Sequence, residues 1–178
     1  MALFTHDELI ELLDALIDKL VAAGASGTDV RVVGGAAIAL AHDPERDATG
    51  DIDALGATNR AMVEAAVAAL SEERGLPSDW LNFKVAMYAP DPDRPEPSFE
   101  TLRERDGVRI SVGTAQLLLA MKLRAGRGRR DIDDVDVLLD ARGITTVEEA
   151  VALFEAHYSA EVMPERSMLH LRQRFAAG

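Results

Sequence analysis

The sequence predicts an α/β to α+β fold: a small mixed sheet enclosed by helices, with a helical C-terminal part. Three observations predict it. Residues 29–33 form a short apolar run that delivers Gly34-Gly35 at the start of an alanine-rich segment, the pattern of a strand turning into a helix. Residues 99–105 and 108–112 alternate in strand fashion around Asp106-Gly107, a pair favoured in two-residue hairpin turns. Beyond Thr114 the apolar residues recur at helical spacing. A chain of 178 residues is long enough to bury a substantial core. The expected division is a core with its N-terminal helix at residues 1–113 and a helical part at residues 114–178 packed on that core.

Thr5 and Glu8 have the spacing of a capping box, and Leu9, Leu12, Leu13, Leu16, Ile17 and Leu20 then mark the buried stripe of a first helix that ends at Gly24. The strand at 29–33 leads into a helix at 36–41, whose alanines let it lie close against the sheet. His42 follows, either a helix-end residue or a base or ligand. Residues 43–50 are a polar loop carrying Arg46 and Thr49. A helix at 59–74 sets Met62, Ala66 and Leu70 on one face. Trp80, the only tryptophan, reads as a packing anchor with Leu81, Phe83 and Val85, and stacking on a base is the alternative. Pro90, Pro92, Pro95 and Pro97 make residues 89–97 a surface loop, a lid or a plain connection.

In the C-terminal part, Thr114 caps a helix at 115–125 that buries Leu117, Leu118 and Met121, with Lys122 at the edge of that stripe. A charged turn, residues 126–130, precedes a helix at 131–139 with Ile132, Val135, Leu138 and Leu139 on its buried face. Asp131 and Asp134 flank that face, and Asp133, Asp136 and Asp140 group on a side expected to be solvated. Two closing helices start near Thr145 and at Pro164. Arg166, His170, Arg172 and Arg174 give the last one a basic character, suited to a phosphate-contacting arm or to a solvated face.

The residues with the most chemistry are Gly34-Gly35 and, about sixteen positions later, Asp51-Ile52-Asp53. Alternation along a strand sends Asp51 and Asp53 to one side and Ile52 to the core. Two adjacent carboxylates raise each other's pKa unless a cation lies between them. Mg²⁺ suits such a pair, because it takes one or two carboxylates and completes its shell with water and phosphate oxygens. Glycines at a helix start let phosphate approach the free backbone N–H groups. The pattern therefore predicts a metal and a phosphate at one site. Arg46 either pairs with Asp43 or Asp47 or stands beside the phosphates, and Thr49 either orients the strand of Asp51 or lines the phosphate site.

Gly34-Gly35, Arg46, Thr49 and Asp51-Ile52-Asp53 resemble the signature of the DNA polymerase beta-type nucleotidyltransferase superfamily. The form Arg-x-x-Thr-x-Asp-x-Asp is similar to the branch of the abortive-infection AbiEii-type toxins and their uncharacterised bacterial relatives. Trp80-Leu81-Asn82, residues 118–127 and Arg130-Asp131-Ile132-Asp133-Asp134 extend the resemblance over residues 30–140. It implies a polymerase beta-like fold and Mg²⁺-dependent nucleotidyl transfer, with Mn²⁺ as an alternative ion. By the resemblance, Asp51 and Asp53 bind metal, and Gly34, Gly35, Arg46, Thr49 and Lys122 bind the nucleoside triphosphate. Asp51, Asp53, Lys122 and Asp134 are then the catalytic set, Asp134 serving as a base or orienting Lys122. The sequence departs from the broad pattern at the third carboxylate, since the strand at 108–112 offers only Arg109 and Ser111 and Asp106 is accounted for as a turn residue. The branch is understood to complete its site with a downstream Lys and Asp. It also implies an RNA acceptor, such as a tRNA 3′ end, and a toxin paired with a cognate antitoxin protein. Nucleotidyl transfer to a small molecule or protein, and a decayed module that only binds, are the rival expectations.

Composition limits the alternatives. With no cysteine, a disulfide framework, a zinc-thiolate site and a cysteine nucleophile are excluded. No secretory signal and no apolar run of membrane-spanning length is visible, so a cytoplasmic protein without membrane contact is expected. A net charge of −12 argues against a broad nucleic-acid-coating surface. Eight of the nineteen basic residues nevertheless fall between Arg103 and Arg130, which predicts a local positive field. Such a field suits a phosphate-bearing ligand, an RNA end or an acidic protein.

Overall fold

A computed structural model describes residues 3–46, 49–91, 98–126 and 128–176. The chain forms two compact units, Met1–Met87 with Phe99–Gly113, and Tyr88–Ser98 with Thr114–Gly178. It is a mixed α/β protein, with one five-stranded mixed sheet and seven α-helices among the described residues.

The first unit opens with α1 (His6–Ala22), whose N-terminus is closed by the expected reciprocal cap. The Thr5 hydroxyl accepts from the Glu8 N–H, and the Glu8 carboxylate accepts from the Thr5 N–H at 2.8 Å. All six apolar residues of the predicted stripe are buried. Strands β1 (Thr28–Val33), β2 (Ile52–Ala57), β3 (Leu81–Asn82), β4 (Phe99–Arg105) and β5 (Val108–Gly113) form the sheet, in the spatial order β3-β2-β1-β5-β4. β1 runs antiparallel to β2 and parallel to β5, while β3 runs parallel to β2. Val30, Val32, Ile52, Ala54 and Ile110 are fully buried; each of the valines and isoleucines contributes about 1.5–3 kcal/mol on leaving water. Asp106 (φ 49°) and Gly107 (φ 77°) make the β4–β5 turn, both in the left-handed region that this tight hairpin needs.

α2 (Gly34–Ala41) directly continues β1, and Ala36, Ala37, Ile38, Ala39 and Leu40 are all buried. α3 (Arg60–Arg74) buries Val63, Ala66, Val67 and Leu70. Met62, expected on that face, is exposed instead. The buried stripe follows the spacing of Val63, Val67 and Leu70, and the fully buried Trp80 fixes this rotation, its indole N–H donating to the Val67 carbonyl oxygen at 3.2 Å.

The second unit contains α4 (Ala115–Ala125), α5 (Arg129–Arg142), α6 (Val147–His157) and α7 (Glu165–Ala176). α4 is buried along most of its length, from Ala115 through Leu117–Met121 to Leu123, because α5 and α6 both pack on it. Residues 88–91 group with these helices through polar contacts: Tyr158 donates to the Tyr88 carbonyl oxygen at 2.9 Å, and the Asp91 N–H donates to that of His157 at 2.8 Å. Asp133 and Asp140 are exposed as expected and Asp136 is half-buried; His170 Nε2 is 2.8 Å from Asp136, and the Arg174 guanidinium donates to Asp140 at 2.6 Å. The basic tail is thus engaged by acids within its own unit at those two positions. Of the stretch 89–97, expected as a surface loop that is a lid or a plain connection, residues 92–97 lie outside the described residues. Among the described residues no helix is long and apolar enough to cross a membrane.

Candidate active site

Strand pairing brings the glycine turn and the acidic pair together inside the first unit. Val33, the last residue of β1, pairs with Asp53 on β2, so Asp53 stands beside the residue that follows Val33. That residue, Gly34, has φ +69°, which L side chains rarely adopt. A β-carbon built on it would lie 3.0 Å from Oδ2 of Asp53. The glycine is needed for two reasons, the turn and the room for the carboxylate. Its neighbour Gly35 is covered by Arg46, whose guanidinium atoms lie 3.0–3.2 Å from where a β-carbon would be. α2 begins here with no acidic residue in its first turn and with Val33, which has no side-chain acceptor, at its N-cap.

Asp51, immediately before β2, and Asp53, on it, flank Ile52. Ile52 and Ala54 between and beyond them are fully buried, whereas both aspartates are half-buried. Asn82 on β3 pairs in register with Asp53, and its amide Nδ2 donates to Oδ2 of Asp51 at 3.0 Å. The buried amide thus holds the Asp51 carboxylate while its backbone neighbours Asp53. The main chain of Asp51 is held as well: the Thr49 hydroxyl donates to its carbonyl oxygen at 3.2 Å, and Thr49 bridges back to Phe4 through two backbone hydrogen bonds. Lys84 lies near enough for the charges of Asp51 and Asp53 to act on it. Its ammonium is held above the ordinary lysine range, first by hydrogen bonding and charge from Asp79 and in smaller part by the two aspartates.

Asn82 and Lys84 were not picked out as site residues from sequence. Asn82 stood in a stretch that carried the family resemblance, but a strand of two residues has no periodicity to reveal which neighbour it pairs with. The remaining candidates, Lys122 and Asp134, belong to the second unit. There Lys122 Nζ is 2.7 Å from both Asp131 Oδ1 and Asp134 Oδ2, with Asp134 the more buried of the two acids. The charged turn before these acids holds Arg127 and Arg130, and Arg127 and the side chain of Arg130 lie outside the described residues.

Five of the eight basic residues expected to make a local positive field are paired with acids, and the side chains of the other three, Arg127, Arg129 and Arg130, lie outside the described residues. Arg103 pairs with Asp14, Arg105 with Asp18, Arg109 with Glu104, Lys122 with Asp131 and Asp134, and Arg124 with Glu161. Each is neutralised by an acid of its own unit, which sequence order alone does not disclose.

Among the described residues no three His, Cys, Asp or Glu side chains converge on one point as a ready-made metal cage. Two carboxylates flanking Ile52, beside a backbone turn free of side chains, nevertheless fit Mg²⁺, which takes its other oxygens from water and phosphate. Compared with models of protein families, with characterised proteins and with solved structures, the chain matches none.

Proposed function

We propose that the protein is a Mg²⁺-dependent nucleotidyltransferase of the DNA polymerase beta type, moving a nucleoside monophosphate from a nucleoside triphosphate to an acceptor hydroxyl. The observation that carries this reading is the meeting of Asp51, Asp53 and the glycine start of α2 within one unit. The mixed sheet flanked by helices supports the polymerase beta-like fold. In the reaction the acceptor oxygen bonds to the α-phosphorus, the bond from that phosphorus to the bridging oxygen breaks, pyrophosphate leaves and the acceptor proton is lost. Mg²⁺, or Mn²⁺ in its place, supplies charge neutralisation of the triphosphate and makes the acceptor hydroxyl more acidic. Asp51 and Asp53 would hold it, and the N–H groups at Gly34 and Gly35 would bind the phosphate tail. Arg46 adds a positive charge over Gly35. The resemblance gives Lys122 the task of neutralising phosphate. The two ion pairs on Lys122 support an orienting role for Asp134 over that of a base.

For the acceptor, the resemblance favours an RNA end such as a tRNA 3′ terminus, in a toxin held by an antitoxin protein. The pairing of Arg103, Arg105, Arg109 and Arg124 with acids favours a second reading, a small-molecule or protein acceptor that needs no basic track. Incubating the protein and Mg²⁺ with α-labelled triphosphates, total RNA and an RNA-free extract separates them by where the label goes. Label on RNA that disappears with Asp53→Ala supports the first reading, and label on the extract alone supports the second. Neither label nor released pyrophosphate, with any nucleotide, would leave a module that only binds.

A further inference from the structure

We infer that Asn82 is a positioning residue that fills, as a neutral hydrogen-bond donor, the place of a third cation ligand beside Asp51, so that cation binding depends on the nucleotide's own phosphates. The inference rests on the nucleotidyltransferase reading and concerns the same site. Its basis is geometric. Asn82 is the direct neighbour of Asp53 across the β2–β3 ladder, on the side of β2 away from β1. Only 7% of it is exposed, and its Nδ2 stands 3.0 Å from Oδ2 of Asp51. Two oxygens on adjacent corners of an octahedron with bonds of about 2.1 Å are also about 3.0 Å apart. The separation of the amide nitrogen from Asp51 is thus compatible with that of two oxygens sharing one cation.

The orientation of the amide is set by its other contacts. Oδ1 accepts from the Lys84 N–H at 3.0 Å, and Nδ2 also reaches the Asp79 carbonyl oxygen at 3.4 Å. Donors on the Oδ1 side and acceptors on the Nδ2 side leave one assignment, with the NH₂ group turned to Asp51. An NH₂ group has no lone pair to give a cation. It holds one oxygen of Asp51, which leaves the other to turn toward the ion, and it adds no negative charge. Two carboxylates alone make a weak site for a divalent cation, whose affinity rises with ligand charge. The phosphates of the triphosphate supply what the strand withholds.

The test has two arms on the full chain: Mn²⁺ binding without nucleotide, followed by loss of the free-ion electron paramagnetic resonance signal, and binding of each of the four labelled nucleoside triphosphates at saturating Mn²⁺, followed by equilibrium dialysis. Asn82→Asp puts an oxygen and a charge where the amide nitrogen stood while keeping the bond from Lys84, and Mn²⁺ alone should bind at least about tenfold more tightly than to the unaltered protein. Asn82→Ala frees Asp51, and Mn²⁺-dependent nucleotide binding should weaken about 10- to 100-fold, as when the outer partners of metal ligands are removed. Melting temperatures of both variants are measured alongside, since a merely structural asparagine would lower them and leave the affinities alone. If both variants bind as the unaltered protein does while Asp53→Ala abolishes Mn²⁺–nucleotide binding, the role of Asn82 is overturned and the nucleotidyltransferase reading stands. If Asp53→Ala binds like the unaltered protein, both fall together.

Discussion

Gly34 and Asp53 lie so close that a β-carbon on the first would stand 3.0 Å from Oδ2 of the second. The contact follows from the antiparallel pairing of Val33 with Asp53 and from the positive φ that turns β1 into α2. It joins the two halves of the motif, which are about sixteen residues apart in the chain.

Gly34→Ala should accordingly cost about 1–2 kcal/mol of stability from the left-handed backbone alone. It should also displace the Asp53 carboxylate and weaken Mg²⁺–nucleotide binding by at least about tenfold, the effect of about 1.4 kcal/mol. Urea denaturation measures the first and calorimetric titration the second. Gly35→Ala, at a residue outside the positive-φ set, should spare stability more and act by moving the Arg46 guanidinium.

The Lys122 group gives a graded prediction. Side-chain exposure is 6% for Asp134 and 20% for Asp131. Asp134→Ala should therefore destabilise the chain by about 1.5–3 kcal/mol, the loss expected for a buried charged hydrogen bond, and Asp131→Ala by clearly less. Lys122→Met should also destabilise the chain, because it takes the ammonium from the buried Asp134 carboxylate, and the double variant should lose less than the two single losses together. Denaturant midpoints of the single and double variants measure the coupling.

Acid should weaken the helix starts. The Glu149 carboxylate accepts from the N–H groups of Thr145 and Thr146, chiefly the former, and these bonds hold its pKa below the ordinary value of 4.5. Glu8 is lowered in the same way by Thr5. A carboxylate whose folded pKa is depressed contributes its stability in full above the unfolded value and loses it as pH falls through the folded one. The melting temperature should thus decline as pH drops below 4.5, and the decline should be shallower in Glu8→Ala and Glu149→Ala than in the unaltered protein. An identical slope in all three would contradict the assignment.

Trp80 is fully buried and bonded to Val67, which makes it the packing anchor and leaves no face for a stacked base. Trp80→Ala should cost about 3–5 kcal/mol. Saturating the unaltered protein with Mg²⁺ and a triphosphate should leave the tryptophan emission maximum where it was.

Local signals were legible in the chain wherever one segment carried the whole pattern. The α1 capping box, the Asp106-Gly107 hairpin and the alternation of Asp51, Ile52 and Asp53 all depend on residues within a few positions of each other. What was hidden depends on long-range pairing. Asn82 reaches Asp51 only because β3 joins the edge of β2, and two residues cannot announce a strand. Arg103 and Arg105 looked like a positive field because Asp14 and Asp18, their partners on α1, lie far away in sequence. Met62 and Val63 differ by a helical rotation of one residue, which the position of Trp80 decides.

The most direct measurement is calorimetric titration of the protein with each nucleoside triphosphate, with and without Mg²⁺, for the unaltered chain, Asp51→Asn and Asp53→Ala. Saturable binding of at least one triphosphate that requires Mg²⁺, and that each substitution abolishes, is the predicted result. Binding that is indifferent to Mg²⁺ and to both aspartates, or no binding of any triphosphate, would contradict the claim that the acidic pair and the glycine turn close on one cation-bound polyphosphate.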